Sequence, residues 1–186
     1  MMGRIEVDWL PDYISEDVRQ KILDLTKESQ PELSPVECSE YLIRHWCETV
    51  EDGNPLYLDE EYAKSRGFRG PVAQPGMIVC TLTLPYRWPW PPKDYSPQRS
   101  MHFELKELLN LPVGILAEYE TEFLRYVELG DRLSSTNRLV SISPWRKTRL
   151  GEGHFWIIET THRNQDDQVV ASVRTTLFAY GRDLAS

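Results

Sequence analysis

The C-terminal half of the chain alternates apolar and polar residues in four successive stretches, and this pattern constrains the fold more than any other feature. The stretches run over residues 115–123, 133–142, 155–161 and 169–180. In the first stretch, apolar or small residues alternate with Glu118, Glu120 and Glu122. A period of two is typical of a strand with one buried face. Four long antiparallel strands that follow helical segments predict an α+β fold with one buried sheet face.

The N-terminal part of the chain carries helix signals instead. Ser15 is a predicted N-cap for a first amphipathic helix. A second helix is predicted to begin at the capping box 34–37, which has proline in the first helical position. A turn at 52–55 ends this helix, and residues 59–65 are predicted to form a short third helix. The predicted apolar face of the second helix comprises Cys38, Leu42, Trp46 and Val50.

Two apolar segments lie between these helices and the strands. Residues 74–84 are apolar on every side, so periodicity does not distinguish a buried strand from a buried helix. Pro75 suits the start of a helix, whereas Ile78 and Val79 favour a strand. The next segment, 85–97, is rich in proline and tryptophan, which excludes a helix or a central strand. We predict that it forms an ordered loop whose rings cover the core.

Composition narrows the function of the chain by exclusion. The 186 residues suit one domain, which buries roughly 70% of its unfolded surface. The chain has 21 basic and 29 acidic residues, a net charge of −8 and a pI of about 5.1. Nucleic acids and anionic membranes attract cationic surfaces, so this acidity argues against both classes of partner.

The cysteines and the N-terminus indicate a reducing compartment. Cys38, Cys47 and Cys80 form no C-x-x-C pair, and their odd number argues against a disulfide scaffold or a structural zinc site. Residues 1–10 contain no apolar signal core, and no apolar run approaches the ~20 residues of a membrane-spanning helix. We therefore predict a soluble, cytoplasmic protein. The sequence contains none of the common hydrolase, zincin, dinucleotide or P-loop motifs, and its histidines are predicted to be packed or exposed rather than metal ligands.

The most informative stretch is 51–63, which reads EDGNPLYLDEEYA, together with GPVAQPG at 70–76. These residues resemble the MaoC-like, (R)-specific enoyl-CoA hydratases and dehydratases. The motif of that family is Asp-x-Asn-Pro-hydrophobic-His, then Asp-x-x-x-Ala, then a glycine-rich start of a central helix. The resemblance extends from about residue 33 to residue 180 and includes 126–133. It is especially close to the N-terminal, fatty-acid-synthase-type dehydratase half of double-domain members, in which Asn-Pro-Leu-Tyr is usual.

The resemblance implies a hot-dog fold, in which an antiparallel sheet wraps around one long buried helix. It assigns residues 74–84 to that helix. Residues 1–32 then form an N-terminal helical extension, and residues 33–182 form the MaoC-like hot-dog domain. The implied substrate is a trans-2-enoyl or (R)-3-hydroxyacyl thioester of CoA or of an acyl carrier, and no cofactor is implied.

Four site residues follow from the resemblance. In the family, the Asp and the His act as general acid and base on a water that adds to the double bond, while a backbone N–H holds the thioester oxygen. Asp52 and Asn54 match the family Asp and Asn, and Gly76 is the candidate backbone donor. Tyr57 stands at the position of the His, where a phenol can donate a hydrogen bond but is a poor base. Structural roles stay open as well: turn formation for Asp52 and close packing for Gly76.

Three functions are consistent with this pattern. The leading hypothesis is a hydratase-type subunit that pairs with a His-bearing hot-dog chain and shares an acyl-CoA tunnel with it. The alternatives are a self-sufficient thioesterase or hydratase with a rearranged site, and a non-catalytic acyl-CoA-binding scaffold. We predict a homomeric or heteromeric dimer, because the sheet has edges to pair. Leu116 and Leu124 are expected to lie on the glutamate face of their strand and to leave apolar surface for the partner.

Overall fold

The computed structural model describes residue 10 and residues 14–84 and 100–181, so the proline-rich segment 85–97 lies outside the described residues. The helices are α1 Glu16–Asp24, α2 Glu40–Val50, α3 Pro55–Leu58, α4 Glu60–Ser65, the central helix Ile78–Leu82, which is a π-helix, and α5 Met101–Leu108. The strands are β1 Glu32–Glu37, β2 Val113–Phe123, β3 Arg132–Ile142, β4 Arg146–Lys147, β5 Glu152–Arg163 and β6 Val169–Gly181. None of the helices in these ranges is long and apolar enough to cross a membrane.

The strands of the described residues form one antiparallel sheet. Its order is β1-β3-β5-β6-β2, and β4 pairs with β5. The longest pair joins β5 to β6, from Glu152 opposite Gly181 to His162 opposite Ala171. Alternate residues of β5 are buried on the face that the helices cover, as the period of two predicts. The predicted four long strands and the α+β arrangement are therefore confirmed.

Strand β2 lies at one edge of the sheet and contains a β-bulge between Leu116 and Glu118. Leu116 pairs with Leu177, whereas Glu118 pairs with Thr176, so β2 carries one extra residue here. Directly paired residues point to the same face, and adjacent residues of β6 point to opposite faces. The prediction that Leu116 lies on the glutamate face is therefore wrong, because the bulge shifts the alternation. Leu116 shares its face with Tyr119, Thr121 and Phe123.

Two hydrophobic clusters that combine helix and strand residues form the core. The first joins α2 and the central helix to the sheet through residues such as Ile43, Met77 and Leu133. The second joins α1 and α5 to β3 and β5 and surrounds Trp156. The N–H of Leu139 in β3 also donates to the carbonyl of Leu25, at 2.7 Å. Helix α1, which lies in the predicted N-terminal extension, thus packs into the same core as the sheet.

Helix α2 begins later than its capping signal predicts. The predicted capping box at 34–37 is wrong, because those residues form β1 and pair with β3. Ser39 is the N-cap instead, and its hydroxyl accepts from the N–H of Leu42. Ile43 and Cys47 are the buried residues of α2. The predicted Leu42 and Trp46 are partly buried and pack against the first cluster, whereas the predicted Val50 is exposed. Strand pairing outweighs a local capping signal because it satisfies several backbone groups at once.

Within the segment 74–84, residues 76–82 are helical, as the family resemblance implied and as strand propensity did not. Its helical hydrogen bonds begin where the N–H of Met77 donates to the carbonyl of Gln74, at 2.9 Å. Met77, Ile78 and Leu82 are buried, whereas Cys80 is exposed. The all-round apolar pattern thus corresponds to a helix that is buried on one side and open on the side of Cys80.

Candidate active site

A tight turn after α2 holds the first predicted site residue. The helix ends at Glu51, which has a left-handed backbone with φ of 56°. The N–H of Asp52 donates to the carbonyl of Cys47 at 2.9 Å, and one carboxylate oxygen of Asp52 accepts from the N–H of Asn54 at 3.1 Å. The carboxylate therefore shapes its own turn, as aspartate commonly does in such positions.

Asn54 is the N-cap of α3. Its side-chain oxygen accepts from the N–H of Leu56 at 3.0 Å, and Pro55 occupies the first helical position. The Asn-Pro pair of the family motif thus starts the short helix that carries Tyr57. A structural role accounts for the contacts of Asn54.

Tyr57 is buried, with 7% of its surface exposed, and it belongs to the first hydrophobic cluster. Burial is the main cause that raises the pKa of its phenol, and the nearby Tyr126 and Asp52 raise that pKa further. The hydroxyl therefore stays protonated at neutral pH. It can donate a hydrogen bond at this position, but it cannot replace a histidine as a base.

Gly76 lies at the start of the central helix, and its N–H already has a partner. It donates to the side-chain oxygen of Gln74 at 2.7 Å. The indole N–H of Trp46, on α2, donates to the same oxygen at 3.2 Å. A Cβ atom at position 76 would lie 2.8 Å from that oxygen and 3.5 Å from the Trp46 ring. The geometry is thus compatible with both predicted roles of Gly76, as a hydrogen-bond donor and as a residue that allows close packing.

The structure brings Asp52, Asn54 and Tyr57 together around one turn. Burial is the main cause that raises the pKa of the Cys47 thiol, and the charge of Asp52 raises the pKa values of both Cys47 and Tyr57 further. Sequence reasoning missed two residues, Trp46 and Gln74, which surround Gly76. Gln74 stands in the Gln-Pro-Gly segment, but no local pattern connects it to a tryptophan on another helix.

Other polar groups lie apart from this turn. His154 and His162 are buried in β5, and His162 contacts the hydroxyl of Ser135 at 2.9 Å. Among the side chains that the structure describes, no group of three His, Cys, Asp or Glu is arranged to hold a metal ion. A cavity of about 950 Å³ lies between residues 145–152, the start of α1 and the end of α5. None of the four predicted site residues lines that cavity.

Asp52→Asn is expected to change the free energy of unfolding by less than about 0.5 kcal/mol, because the amide oxygen can still accept from the N–H of Asn54. Asp52→Ala removes that acceptor and is expected to cost about 1 kcal/mol. Urea denaturation of both variants checks this prediction. An Asn variant as unstable as the Ala variant would show that the turn needs the negative charge.

Comparison with known proteins identifies the family. The family described as FAS1-like, dehydratase domain region matches residues 26–173. The chain belongs to this family. The match begins just after α1 and ends within β6, and so it includes the turn with Asp52 and the start of the central helix. The predicted resemblance to MaoC-like hydratases and dehydratases is confirmed.

Individual relatives of this FAS1-like dehydratase domain agree with the match. A probable enoyl-CoA hydratase alpha subunit from Thermomonospora curvata is 36% identical over 142 residues, which are 75% of this chain and 44% of that protein. The 3-oxo-4,17-pregnadiene-20-carboxyl-CoA hydratase alpha subunit from Mycobacterium tuberculosis is 28% identical over 133 residues, which are 68% of this chain and 40% of that protein. The chain therefore spans less than half the length of these two curated relatives.

A solved structure confirms the predicted hot-dog fold. A chain in the crystal structure of the ChsH1–ChsH2 complex from Mycobacterium tuberculosis matches with a TM-score of 0.76 and 22% identity. The match covers 92% of this chain and 100% of that chain. The antiparallel sheet and central helix of the FAS1-like dehydratase domain are thus shared with a solved protein.

Proposed function

We propose that this chain is the histidine-lacking half of a MaoC-like enoyl-CoA hydratase, and that a second hot-dog chain supplies the catalytic Asp and His. The assembled enzyme adds water to a trans-2-enoyl thioester and forms the (R)-3-hydroxyacyl thioester. In the reverse reaction it removes this water and forms the enoyl thioester. The observation that carries the proposal is Tyr57, a buried and protonated phenol at the family's histidine position. The chain therefore keeps the turn of the active site without its base.

The turn that matches the family motif and the missing base together favour catalysis that is shared between two chains. General acid–base catalysis needs a group with a pKa near the working pH, which an imidazole has and this phenol has not. The contacts of Asp52 and Asn54 within the turn preserve its shape. A half that keeps this shape can still form one wall of an acyl tunnel and position the thioester for its partner.

The relatives support assembly from unlike subunits. Two of them are named as alpha subunits of hydratases, and the matching solved structure is a ChsH1–ChsH2 complex. Those names describe the other proteins, and we extend the two-chain arrangement to this one as part of the proposal.

The surface of β2 supports a partner as well. Leu116, Tyr119 and Phe123 share one face of this edge strand and are 57%, 50% and 44% exposed. An edge strand presents unpaired backbone N–H and C=O groups, which proteins usually pair or cover. An edge strand with exposed apolar side chains is suited to contact a second protomer.

A complementation assay tests the proposal. The purified chain alone is expected to hydrate crotonyl-CoA at the background rate. Addition of a hot-dog chain from a neighbouring gene, with an intact Asp-x-Asn-Pro-x-His motif, is expected to raise the rate by about 10²-fold or more. Replacement of the partner's motif histidine by alanine is expected to return the rate to background. Asp52→Asn in this chain is expected to leave the raised rate unchanged.

Three results would contradict this proposal. Rapid hydration by the chain alone would show a self-sufficient enzyme. Release of free thiol from acyl-CoA would indicate a thioesterase instead. Binding of acyl-CoA without turnover, both alone and with the partner, would indicate a non-catalytic scaffold, and thermal stabilisation by the ligand would reveal such binding.

A further inference from the structure

One side-chain oxygen beside the candidate site accepts two hydrogen bonds from separate parts of the fold. The amide oxygen of Gln74 accepts from the backbone N–H of Gly76 at 2.7 Å and from the indole N–H of Trp46 at 3.2 Å. Trp46 belongs to α2, 28 residues away along the chain. The side chains of Trp46 and Gln74 are partly buried, and Trp46 packs against the first hydrophobic cluster, which contains Tyr57.

The two donors point at one acceptor position. Two N–H groups that converge on one oxygen form the arrangement that stabilises a developing oxyanion in acyl chemistry. Here that position is occupied by an oxygen of the protein itself. The carbonyl of Gln74 separately accepts from the N–H of Met77, so the backbone of Gln74 is fixed while its side chain reaches the two donors.

The residue types favour a side chain that can leave this position. Helix starts are usually capped by short side chains such as Ser, Thr, Asp or Asn, which lose little freedom when they bond to the backbone. Glutamine is longer and has more rotatable bonds, so holding it in place costs more entropy and releasing it is easier. A Cβ at position 76 would lie 2.8 Å from the Gln74 oxygen, so a larger residue there would displace the Gln74 side chain from this contact.

We propose that the Gln74 side chain is an internal substitute for the thioester oxygen, and that Trp46 is the second donor of the oxyanion position beside Gly76. This inference rests on the proposed function, since it assumes that an acyl thioester enters this site. On binding, the amide of Gln74 rotates away and the thioester oxygen takes its place. Both N–H donors keep an acceptor throughout, so neither is left unsatisfied in the free or the bound chain.

Binding of two CoA derivatives tests this exchange. Butyryl-CoA has the thioester oxygen but no double bond to hydrate, and S-butyl-CoA is the thioether that lacks the oxygen. Isothermal titration of the full chain, alone and with its hot-dog partner, measures the Kd of each compound. Gln74→Ala removes the competitor and is expected to tighten butyryl-CoA by about fivefold, the ratio that corresponds to one net hydrogen bond, without changing S-butyl-CoA.

The second donor is tested in the same background. Gln74→Ala combined with Trp46→Phe keeps an aromatic ring but removes the indole N–H, and it is expected to lose most of the fivefold gain. Gln20→Ala, on the exposed surface of α1, is the matched control and should leave both Kd values unchanged. In ¹H–¹⁵N spectra, the Gly76 amide and the Trp46 indole signals should shift when butyryl-CoA binds and stay nearly unchanged with S-butyl-CoA.

The outcomes separate the two proposals. Equal effects of Gln74→Ala on the thioester and the thioether would overturn the exchange, while the proposed function would stand. An unchanged Kd of the thioester in the Gln74 variant would also overturn the exchange and leave the proposed function standing. Absence of binding by either compound, alone and with the partner, would overturn the proposed function and the exchange together.

Discussion

Trp156→Ala is expected to lower the free energy of unfolding by about 3–5 kcal/mol. Trp156 is fully buried in the second hydrophobic cluster, where α1 and α5 meet β3 and β5. Its ring lies 5.4 Å from that of His102, centroid to centroid. Removal of the indole leaves a cavity that a sheet and two helices cannot close. Since domains of this size are stable by about 5–15 kcal/mol, the variant is expected to unfold readily.

Trp156→Phe is the matched control. The indole N–H of Trp156 is buried and has no hydrogen-bond partner among the described residues. Phenylalanine retains much of the apolar volume and removes this unsatisfied donor, so we expect a loss of less than about 1.5 kcal/mol. Urea denaturation monitored by circular dichroism measures both variants. Equal losses for Phe and Ala would show that the indole N–H has a partner in solution.

Acidification is expected to destabilise the protein through His162. Burial in β5 lowers the pKa of His162 from 6.5 to about 4. The folded state therefore holds a neutral imidazole, whereas the unfolded chain takes up a proton near pH 6.5. Stability from this residue is fully present above pH 6.5 and is lost as the pH falls toward 4. The difference between the two pKa values corresponds to a loss of about 3 kcal/mol.

Two substitutions isolate this effect. His162→Gln cannot titrate, and it should flatten the fall in stability between pH 6.5 and pH 4. His45→Gln is the control, because His45 lies exposed on α2 and stacks on Tyr41. Burial also lowers the pKa values of His102 and His154, so part of the acid sensitivity should remain in His162→Gln. An identical pH profile for His162→Gln and the unmodified chain would contradict the assignment to His162.

The fold was predictable where local pattern and tertiary structure agree. The period of two identified β2, β3, β5 and β6, because each of these strands has a core-facing side. The capping box at 34–37 was misleading, because the same residues pair with β3, and that pairing depends on residues a hundred positions away. The bulge in β2 was not predictable either, because no residue type in the strand interior indicates where the extra residue lies.

The candidate site was also predictable only where its contacts are local. The family motif located the turn of Asp52 and Asn54 and the position of Tyr57, because those contacts are local. The burial of Tyr57 and the bond from Trp46 to Gln74 were not predictable, since each depends on packing between separate helices. The role of each of the four predicted residues in catalysis stays a prediction.

Residues 118–123 give the β2 edge of the sheet two chemically different sides. Glutamates line one side of residues 118–123, and exposed aromatic side chains line the other. A strand that pairs with this edge must match both sides. A shift of its pairing register by one residue would bring its apolar side chains against the carboxylates. The two unlike faces therefore favour a docking strand with a matching pattern, which disfavours indiscriminate aggregation at this edge.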